Sequence, residues 1–308
     1  MGLIVTLYLI VPAVFVVLLL LLRKSNLAAF LTVFALGIFV LGFFYQILPG
    51  SILGMSYRPA ALITLLLAAT IILATTQRAS FLARVRKPSL LDVCAALLVV
   101  GALPAAILTT SDKSAGSQQP VRLANPVPNG RIFVTQGGNN ALLNAHHHVR
   151  AQRYALDLTA LNPKGRRAVG LMPTRLDDYT IYGMQVVAPC AGEVVIVGTG
   201  APEQAIGTTD TNAPAGNFVA LTCDEATIVL AHLKGAPLVN QGQSVSTGDA
   251  LGYVGNSGNT SEPHLHIHAV RGSVRDLEVL LFDGDPVPIE FEGHQLKRND
   301  LVPTEASS

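Results

Sequence analysis

The stretch Pro263-His264-Leu265-His266-Ile267-His268 predicts a β-strand that carries three imidazoles on one face. Successive side chains of a strand point to opposite faces, so His264, His266 and His268 share one side and the two apolar residues between them point into a core. A buried imidazole needs partners for its nitrogens, and neutral imidazole is a common ligand of zinc. The pattern therefore favours a metal site over a solvated edge strand that happens to be rich in histidine.

The other histidines lie in the same half of the chain. All eight are beyond residue 140, at His146, His147, His148, His232, His264, His266, His268 and His294. The first 110 residues have none, although their apolar character would itself disfavour histidine. The polar half of the chain is therefore where we expect the site.

Composition divides the 308 residues into two parts of different kind. Residues 1–110 carry seven Lys and Arg residues against one acidic residue, Asp92, whereas residues 111–308 carry 14 basic and 19 acidic residues. The basic residues of the first part lie between apolar segments and not on one polar face, which excludes a nucleic-acid footprint. We expect a basic membrane part, a mildly acidic soluble part and no nucleic-acid partner.

Four apolar segments in the first part predict transmembrane helices. Each is about long enough to cross a hydrocarbon core of about 30 Å. They are residues 3–22, 26–48, 59–76 and 89–109. Buried helices of a soluble protein are the weaker interpretation, because the segments have almost no polar face. The first segment also lacks the basic start and the small-residue cleavage site of a secretion signal.

The loops between these segments predict their orientation. Arg23-Lys24 follows the first segment, Gln77–Pro88 holds four basic residues before the fourth, and the second loop holds only Arg58. By the positive-inside rule the first and third loops are cytoplasmic. An even number of crossings then places everything after Thr109 outside the cytoplasmic membrane. No intramembrane charge pair marks a transport path, so we expect a multi-pass anchor in the lipid bilayer.

The second part predicts a linker, a β domain and a polar tail. Residues 111–129 are rich in Ser, Gly, Gln and Pro, which is typical of a tether. Residues 130–292 contain short β-branched or alternating runs broken by Gly, Pro and Asn, which indicate an antiparallel β sandwich or barrel-like fold. Residues 293–308 form the tail. Two long loops, Asn162–Gly183 and Gly198–Gly216, are candidates to wall a cleft.

The three cysteines fall in both parts. Cys94 lies in the fourth apolar segment, and Cys190 and Cys223 each lie beside a predicted strand of the β domain. In an oxidising compartment the latter two either form a disulfide or stay as free thiols, and the sequence leaves both possibilities open.

A set of glycine-rich and histidine motifs carries a family resemblance. Its members are Val187–Val194, Ala231-His232-Leu233, Val239–Val245, Gly248–Gly252, Gly255–Thr260 and His264-Leu265-His266. With these motifs, about residues 130–270 resemble the lysostaphin/LytM-type zinc metallopeptidases, which cut peptide bonds in the bacterial cell wall. The resemblance implies a mainly antiparallel β domain built as a duplicated hybrid-motif sandwich, one zinc ion per domain and peptidoglycan peptides as the substrate.

The resemblance also implies roles for five residues. His146, Asp157 and His266 would bind zinc, and His232 and His264 would form the catalytic pair. Two imidazoles and one carboxylate leave a tetrahedral zinc with an open position, as in catalytic sites and not in closed structural ones. His232 and His264 are suited to act as general base or acid, or as hydrogen-bond donors to an oxyanion.

The first motif departs from the family pattern. The usual spacing is His-x-x-x-Asp, but here Asp157 follows a histidine triplet after a longer gap, Val149–Leu156. The resemblance favours His146 as the ligand, and His147 and His148 remain alternatives. His268 is expected either beside the ligands or at the surface.

Two functions follow as hypotheses. The first is a membrane-anchored zinc metalloendopeptidase that hydrolyses peptide bonds in peptidoglycan on the outer side of the cytoplasmic membrane. The alternative is a catalytically idle domain of the same fold that recruits or activates another cell-wall hydrolase. Family members of the idle kind tend to lack ligands, whereas all the candidates are present here. The sequence identifies neither the peptide bond that is cut nor a protein partner.

Overall fold

The computed structural model of the protein describes residues 2–22, 27–55, 57–75 and 119–303. The chain divides into two compact units, Met1–Ser111 and Asp112–Ser308. The predicted fourth apolar segment, residues 89–109, lies outside the described residues, together with Cys94 and the basic loop Gln77–Pro88.

The described part of the first unit consists of three α-helices, α1 (Gly2–Leu22), α2 (Leu27–Ile47) and α3 (Tyr57–Thr75). They agree within two residues at each end with the first three predicted segments. An apolar cluster that includes Leu19, Phe30 and Leu65 packs between them.

Only part of the membrane prediction is supported by these helices. Among the described residues one helix, α2, is long and apolar enough to cross a membrane, over Phe30–Ile47, as judged by length and composition. The apolar stretches of the other two are shorter, Ile10–Leu21 and Ala60–Ile72. The first three predicted helices are present. The prediction was four membrane spans, but only one helix of the described residues qualifies as a candidate span.

The second unit is mainly antiparallel β-structure, as predicted. Its strands are β1 (Val121–Leu123), β2 (Arg131–Gln136), β3 (Leu156–Leu161), β4 (Gln185–Val187), β5 (Gly192–Gly198), β6 (Asn217–Cys223), β7 (Ala226–Leu233), β8 (Ser244–Val245), β9 (Ala250–Tyr253), β10 (Leu265–Arg271), β11 (Pro286–Val287), β12 (Ile289–Phe291) and β13 (His294–Gln295). Two 3₁₀ turns, Ala145–His148 and Leu176–Asp178, and a π-helical turn, Val279–Asp283, complete the unit.

One large sheet and two small ones form this unit. The large sheet has the order β2-β3-β10-β7-β6-β5-β8, with β11 paired to β10. The small sheets are β1-β12-β13 and β4-β9, and β1 runs parallel to β12. β1 lies within the predicted linker and β13 within the predicted tail, so both of these segments contribute strands to the folded unit.

The centre of the large sheet sets the position of the histidine strand. In β10, Leu265 and Ile267 are fully buried in the main core with Leu158 of β3 and Leu230 of β7. Because side chains alternate along a strand, the histidines of β10 point to the other face. The apolar residues of Leu265–Arg271 therefore fix which face carries the imidazoles.

The disulfide alternative is the one found in the structure. Cys190, in the turn before β5, is bonded to Cys223 at the end of β6. The bond links the two ends of a chain segment that contains the long loop Gly198–Gly216.

In protein purified without reductant, we expect the thiols of Cys190 and Cys223 to resist alkylation until a reductant is added. Peptide mapping by mass spectrometry measures this, with reduced and denatured protein as the fully labelled control. An alkylated Cys190 or Cys223 in the unreduced, folded protein would contradict the pairing.

Candidate metal centre

Asp157 and His266 face each other across neighbouring strands. The register of β3 and β10 places the two residues directly opposite one another. His266 Nδ1 lies 2.9 Å from Asp157 Oδ1, and both side chains are buried. Two polar groups buried this deeply at the centre of a sheet require each other or a bound cation as a partner.

The 3₁₀ turn Ala145–His148 brings His146 to the same place. The turn is capped by the buried Asn144, whose side-chain oxygen accepts from the backbone N–H of His146 at 3.0 Å. The Asn144 amide nitrogen lies 3.1 Å from each of three carbonyl oxygens, those of Gly138, Arg153 and Ala155. His146 Nε2 lies 2.9 and 3.0 Å from the two carboxylate oxygens of Asp157. The structure therefore joins His146 to Asp157, and it leaves His148 exposed.

The donor atoms of His146, Asp157 and His266 fit a zinc ion. One atom from each residue lies within 4.8 Å of the other two, and this is the single group of three or more potential ligands among residues 2–22, 27–55, 57–75 and 119–303. Two imidazole nitrogens and a carboxylate oxygen match the ligand set of catalytic zinc sites. A cation bound by these three atoms would offset the cost of burying them together.

Charge and burial adjust the pKa values of these three groups. Burial lowers the pKa of His146, but the Asp157 carboxylate outweighs this effect and the pKa is raised. Burial opposes ionisation of Asp157, yet His146 and His264 hold the pKa of its carboxyl well below the usual range. Burial also lowers the pKa of His266 to about 4. At neutral pH Asp157 is therefore an anion and His266 is neutral, which are the protonation states that bind a metal.

A bulge in β7 aims His232 at this cluster. Between Asn217 and Val219 of β6, one residue of β6 opposes two residues of β7, and His232 takes a positive φ of 65°. Such a conformation is costly for a non-glycine residue and is found at functional sites. His232 Nδ1 lies 2.9 Å from the carbonyl oxygen of Ser257, which can only accept, so Nδ1 carries the proton. The neutral ring then has its lone pair on Nε2.

His264 is held in a similar way just before β10. Its Nδ1 donates to the carbonyl oxygen of Glu262 at 2.8 Å, and its Nε2 lies 3.6 Å from Asp157 Oδ1. The ring centroids of His232 and His264 are 4.8 Å apart. The structure thus brings all five sequence-predicted residues into one cluster. Burial lowers the pKa of His232 well below its usual range, so His232 is neutral at pH 7.

One contact that the sequence did not reveal supports the segment that carries His264. Arg167, from the loop 162–183, donates through Nε and Nη2 to the Glu262 carboxylate at 2.8 and 2.9 Å, and its side chain is only 1% exposed. The Tyr179 hydroxyl donates to the same carboxylate at 3.2 Å. The basic run that includes Arg167 was visible in the sequence, but no local pattern indicates a partner 95 residues away.

The second long loop is fastened to the same glycine-rich segment. Glu203 accepts from the backbone N–H of Asn256 at 3.0 Å, and the Asn256 side chain donates to the carbonyl oxygen of Gln204 at 2.9 Å. Where this loop returns to β6, Gly216 lies so close to Gly258 that a Cβ atom added at Gly258 would be 2.4 Å from the Gly216 nitrogen. Both long loops are therefore anchored on residues 255–262.

A cavity of about 170 Å³ lies beside the cluster. Three of the predicted site histidines, His146, His232 and His266, line it together with Pro214 and Ala215 of the second long loop. The cavity gives a ligand access to the face of the cluster that the imidazoles share.

The site combines a mainly antiparallel β domain with a His/Asp/His cluster of the kind that holds a catalytic metal ion. Residues 176–276 match the model of peptidase family M23. This match confirms the family resemblance predicted from the motifs. His232, His264 and His266 lie within the matched residues, and His146 and Asp157 precede them.

Solved structures that are similar to part of this chain include the following three. The catalytic domain of lysostaphin from Staphylococcus simulans is 20% identical over 48% of this chain and 85% of that chain, with a TM-score of 0.30. A zinc-containing peptidase from Vibrio cholerae is 19% identical over 55% and 39%, also with a TM-score of 0.30. Csd3 from Helicobacter pylori is 19% identical over 55% and 32%, with a TM-score of 0.30. The chain spans less than half the length of the latter two proteins.

Proposed function

We propose that the protein is a membrane-anchored zinc metalloendopeptidase that hydrolyses peptide bonds of peptidoglycan outside the cytoplasmic membrane. The observation that carries the proposal is the convergence of His146, Asp157 and His266, with donor atoms within 4.8 Å of one another. The match to peptidase family M23 supports peptide hydrolysis as the class of reaction.

The five clustered residues have two kinds of proposed role, metal binding and proton transfer or hydrogen bonding. His146, Asp157 and His266 would hold one zinc ion, which when bound lowers the pKa of a water molecule and polarises a carbonyl group. His232 has Nδ1–H committed to the Ser257 carbonyl, so its Nε2 is placed to accept a proton as a general base. His264 has Nδ1–H committed to the Glu262 carbonyl, and once its Nε2 is protonated it donates to the oxygen that develops negative charge.

Export of this domain follows from the proposed topology. Four spans, residues 3–22, 26–48, 59–76 and 89–109, would anchor the chain as a multi-pass protein with residues 130–292 outside. The apolar window of α2 supports membrane insertion. The disulfide between Cys190 and Cys223 supports an oxidising compartment, because such bonds are rare in the cytoplasm.

A second function is favoured by one specific observation. The matched family region begins at residue 176 and so omits His146 and Asp157, two of the three candidate ligands. A domain with an atypical first motif could bind the cell wall without turnover and recruit or activate another hydrolase. The two functions differ in what they predict for hydrolysis.

We expect the full-length protein, purified in detergent, to contain about one zinc ion per chain and to release peptides from isolated peptidoglycan sacculi. A chelator should stop the release, and added zinc should restore it, because the ligand set holds the metal reversibly. Metal analysis and chromatography of the released peptides measure both effects. Zinc binding with no release from sacculi would favour the binding module, and a protein that binds no zinc would exclude the metallopeptidase.

A further inference from the structure

Three consecutive carbonyl oxygens of the π-helical turn Val279–Asp283 accept hydrogen bonds from residues that lie next to the candidate metal ligands. Leu280 O accepts from His268 Nε2 at 3.0 Å, and Leu281 O accepts from the Gln152 side-chain nitrogen at 2.8 Å. The third, that of Phe282, accepts from the backbone N–H of Ala151 at 2.9 Å. π-helical turns are rare in proteins, and those that occur are often found at functional sites. Here the turn binds partners from both segments that carry an imidazole ligand.

On one side the turn reaches His266 through His268. His268 is 1% exposed, its Nε2 faces the Leu280 carbonyl, and its Nδ1 lies 2.9 Å from His266 Nε2. A carbonyl oxygen only accepts, so Nε2 of His268 carries the proton and Nδ1 of the neutral ring is an acceptor. His266 Nε2 must then be the donor. The lone pair of His266 therefore lies on Nδ1, the atom that is 2.9 Å from Asp157.

On the other side the turn reaches His146 through Gln152. The Gln152 amide donates to the Leu281 carbonyl, and the same side chain lines the cavity together with His146. Ala151, the preceding residue, fixes the backbone of this segment to the Phe282 carbonyl. Each imidazole ligand thus has a neighbouring side chain that is hydrogen-bonded to the turn.

We propose that the π-helical turn Val279–Asp283, acting through the positioning residues His268 and Gln152, fixes the ring orientation of His266 and His146 and selects Nδ1 of His266 as its metal-binding atom. The inference rests on the proposed zinc site. A partner that holds the distal nitrogen of a ligating histidine fixes its tautomer and increases its basicity as a ligand.

Packing alone does not account for a histidine at position 268. The side chain lies in the wall of the cavity next to Val229 and Leu281, where an apolar residue would avoid the cost of burying two ring nitrogens. Both nitrogens are instead hydrogen-bonded, one to the ligand and one to the turn.

The test measures zinc affinity, which does not depend on hydrolysis. In the full-length protein in detergent, His268→Phe keeps a planar ring but removes the acceptor, and we expect zinc to bind about 10- to 100-fold more weakly in competition with a chromogenic chelator. His268→Asn returns an acceptor oxygen near the position of Nδ1 and should recover much of the loss. His294→Phe, at an exposed histidine of β13, is the matched control and should bind zinc like the wild type.

Gln152→Met provides a second, independent variant in case His268→Phe does not fold, as judged by thermal unfolding. It removes the amide, and with it the hydrogen bond to Leu281, at nearly constant volume, and we expect zinc affinity to fall by about 10-fold. Wild-type affinity in folded His268→Phe, or in Gln152→Met if the former is unfolded, would overturn the inference and leave the proposed function intact. A wild-type protein that binds no zinc would overturn both.

Discussion

The His266→Ala protein is expected to release peptides from sacculi at least about 10³-fold more slowly than the wild type. The change removes one of the two candidate imidazole ligands from a cluster of three candidate ligands. A catalytic metal contributes several kcal/mol to stabilising the transition state, and each 1.36 kcal/mol corresponds to tenfold in rate. The measurement is the initial rate of peptide release at a fixed excess of zinc, together with the zinc content of the purified protein.

His148→Ala is the matched control for this experiment. It removes an exposed imidazole from the same turn that presents His146, and we expect a wild-type rate. His146→Ala should behave like His266→Ala, because its Nε2 is the atom next to the Asp157 carboxylate. Normal hydrolysis by His266→Ala would sink the proposed mechanism, and a loss confined to His148→Ala would assign the ligand to a different member of the triplet.

Arg167→Met is expected to lower the free energy of unfolding by about 3 kcal/mol. The guanidinium is buried and makes two hydrogen bonds to Glu262, whose side chain is 23% exposed. Without Arg167 the Glu262 carboxylate keeps only the Tyr179 hydroxyl as a described side-chain donor. Breaking a buried pair by removing one partner leaves an uncompensated charge, which is why the cost exceeds that of a surface ion pair. Chemical denaturation monitored by circular dichroism measures the change.

Arg175→Met tests whether burial is the cause. Arg175 belongs to the same loop and pairs with Asp177 at 3.7 Å, but both side chains are more than 70% exposed. We expect a loss below about 1 kcal/mol, as is typical of surface pairs. The double variant Arg167→Met/Glu262→Leu should recover part of the stability, because it removes the unpaired carboxylate as well. An equal loss in the Arg167 and Arg175 variants would mean that the buried pair is not what stabilises the loop.

The sequence was informative where a short local pattern determines which face of a strand a side chain occupies. Alternation in β10 predicted that His266 shares a side with its histidine neighbours, because strand periodicity is local. The choice of His146 from the triplet could not be derived in this way. It depends on Asn144, whose side-chain oxygen caps the 3₁₀ turn and whose side-chain nitrogen contacts carbonyl groups 6, 9 and 11 residues away in the chain. Which histidine of the triplet contacts Asp157 is therefore determined by hydrogen bonds formed in the folded protein.

Contacts between distant segments account for most of what the sequence did not show. The bulge that turns His232 inward needs an extra residue on β7 relative to β6, and such an offset has no signature in one strand alone. The short strands β1 and β13 have two or three residues each, too few for alternation to be recognised. The Arg167–Glu262 pair and the π-helical turn join elements that are far apart in the chain. For membrane insertion, the apolar stretch of α3, Ala60–Ile72, is shorter than the Phe30–Ile47 stretch of α2.

The anchoring of both long loops on residues 255–262 also bears on how a substrate is received. Arg167 and Glu203 already fix the two loops to this segment, so these parts of the loops need not become ordered when a peptide binds. On the proposed function, the cost of becoming ordered then falls mainly on the peptide, and an already extended peptide would bind more readily than a coiled one.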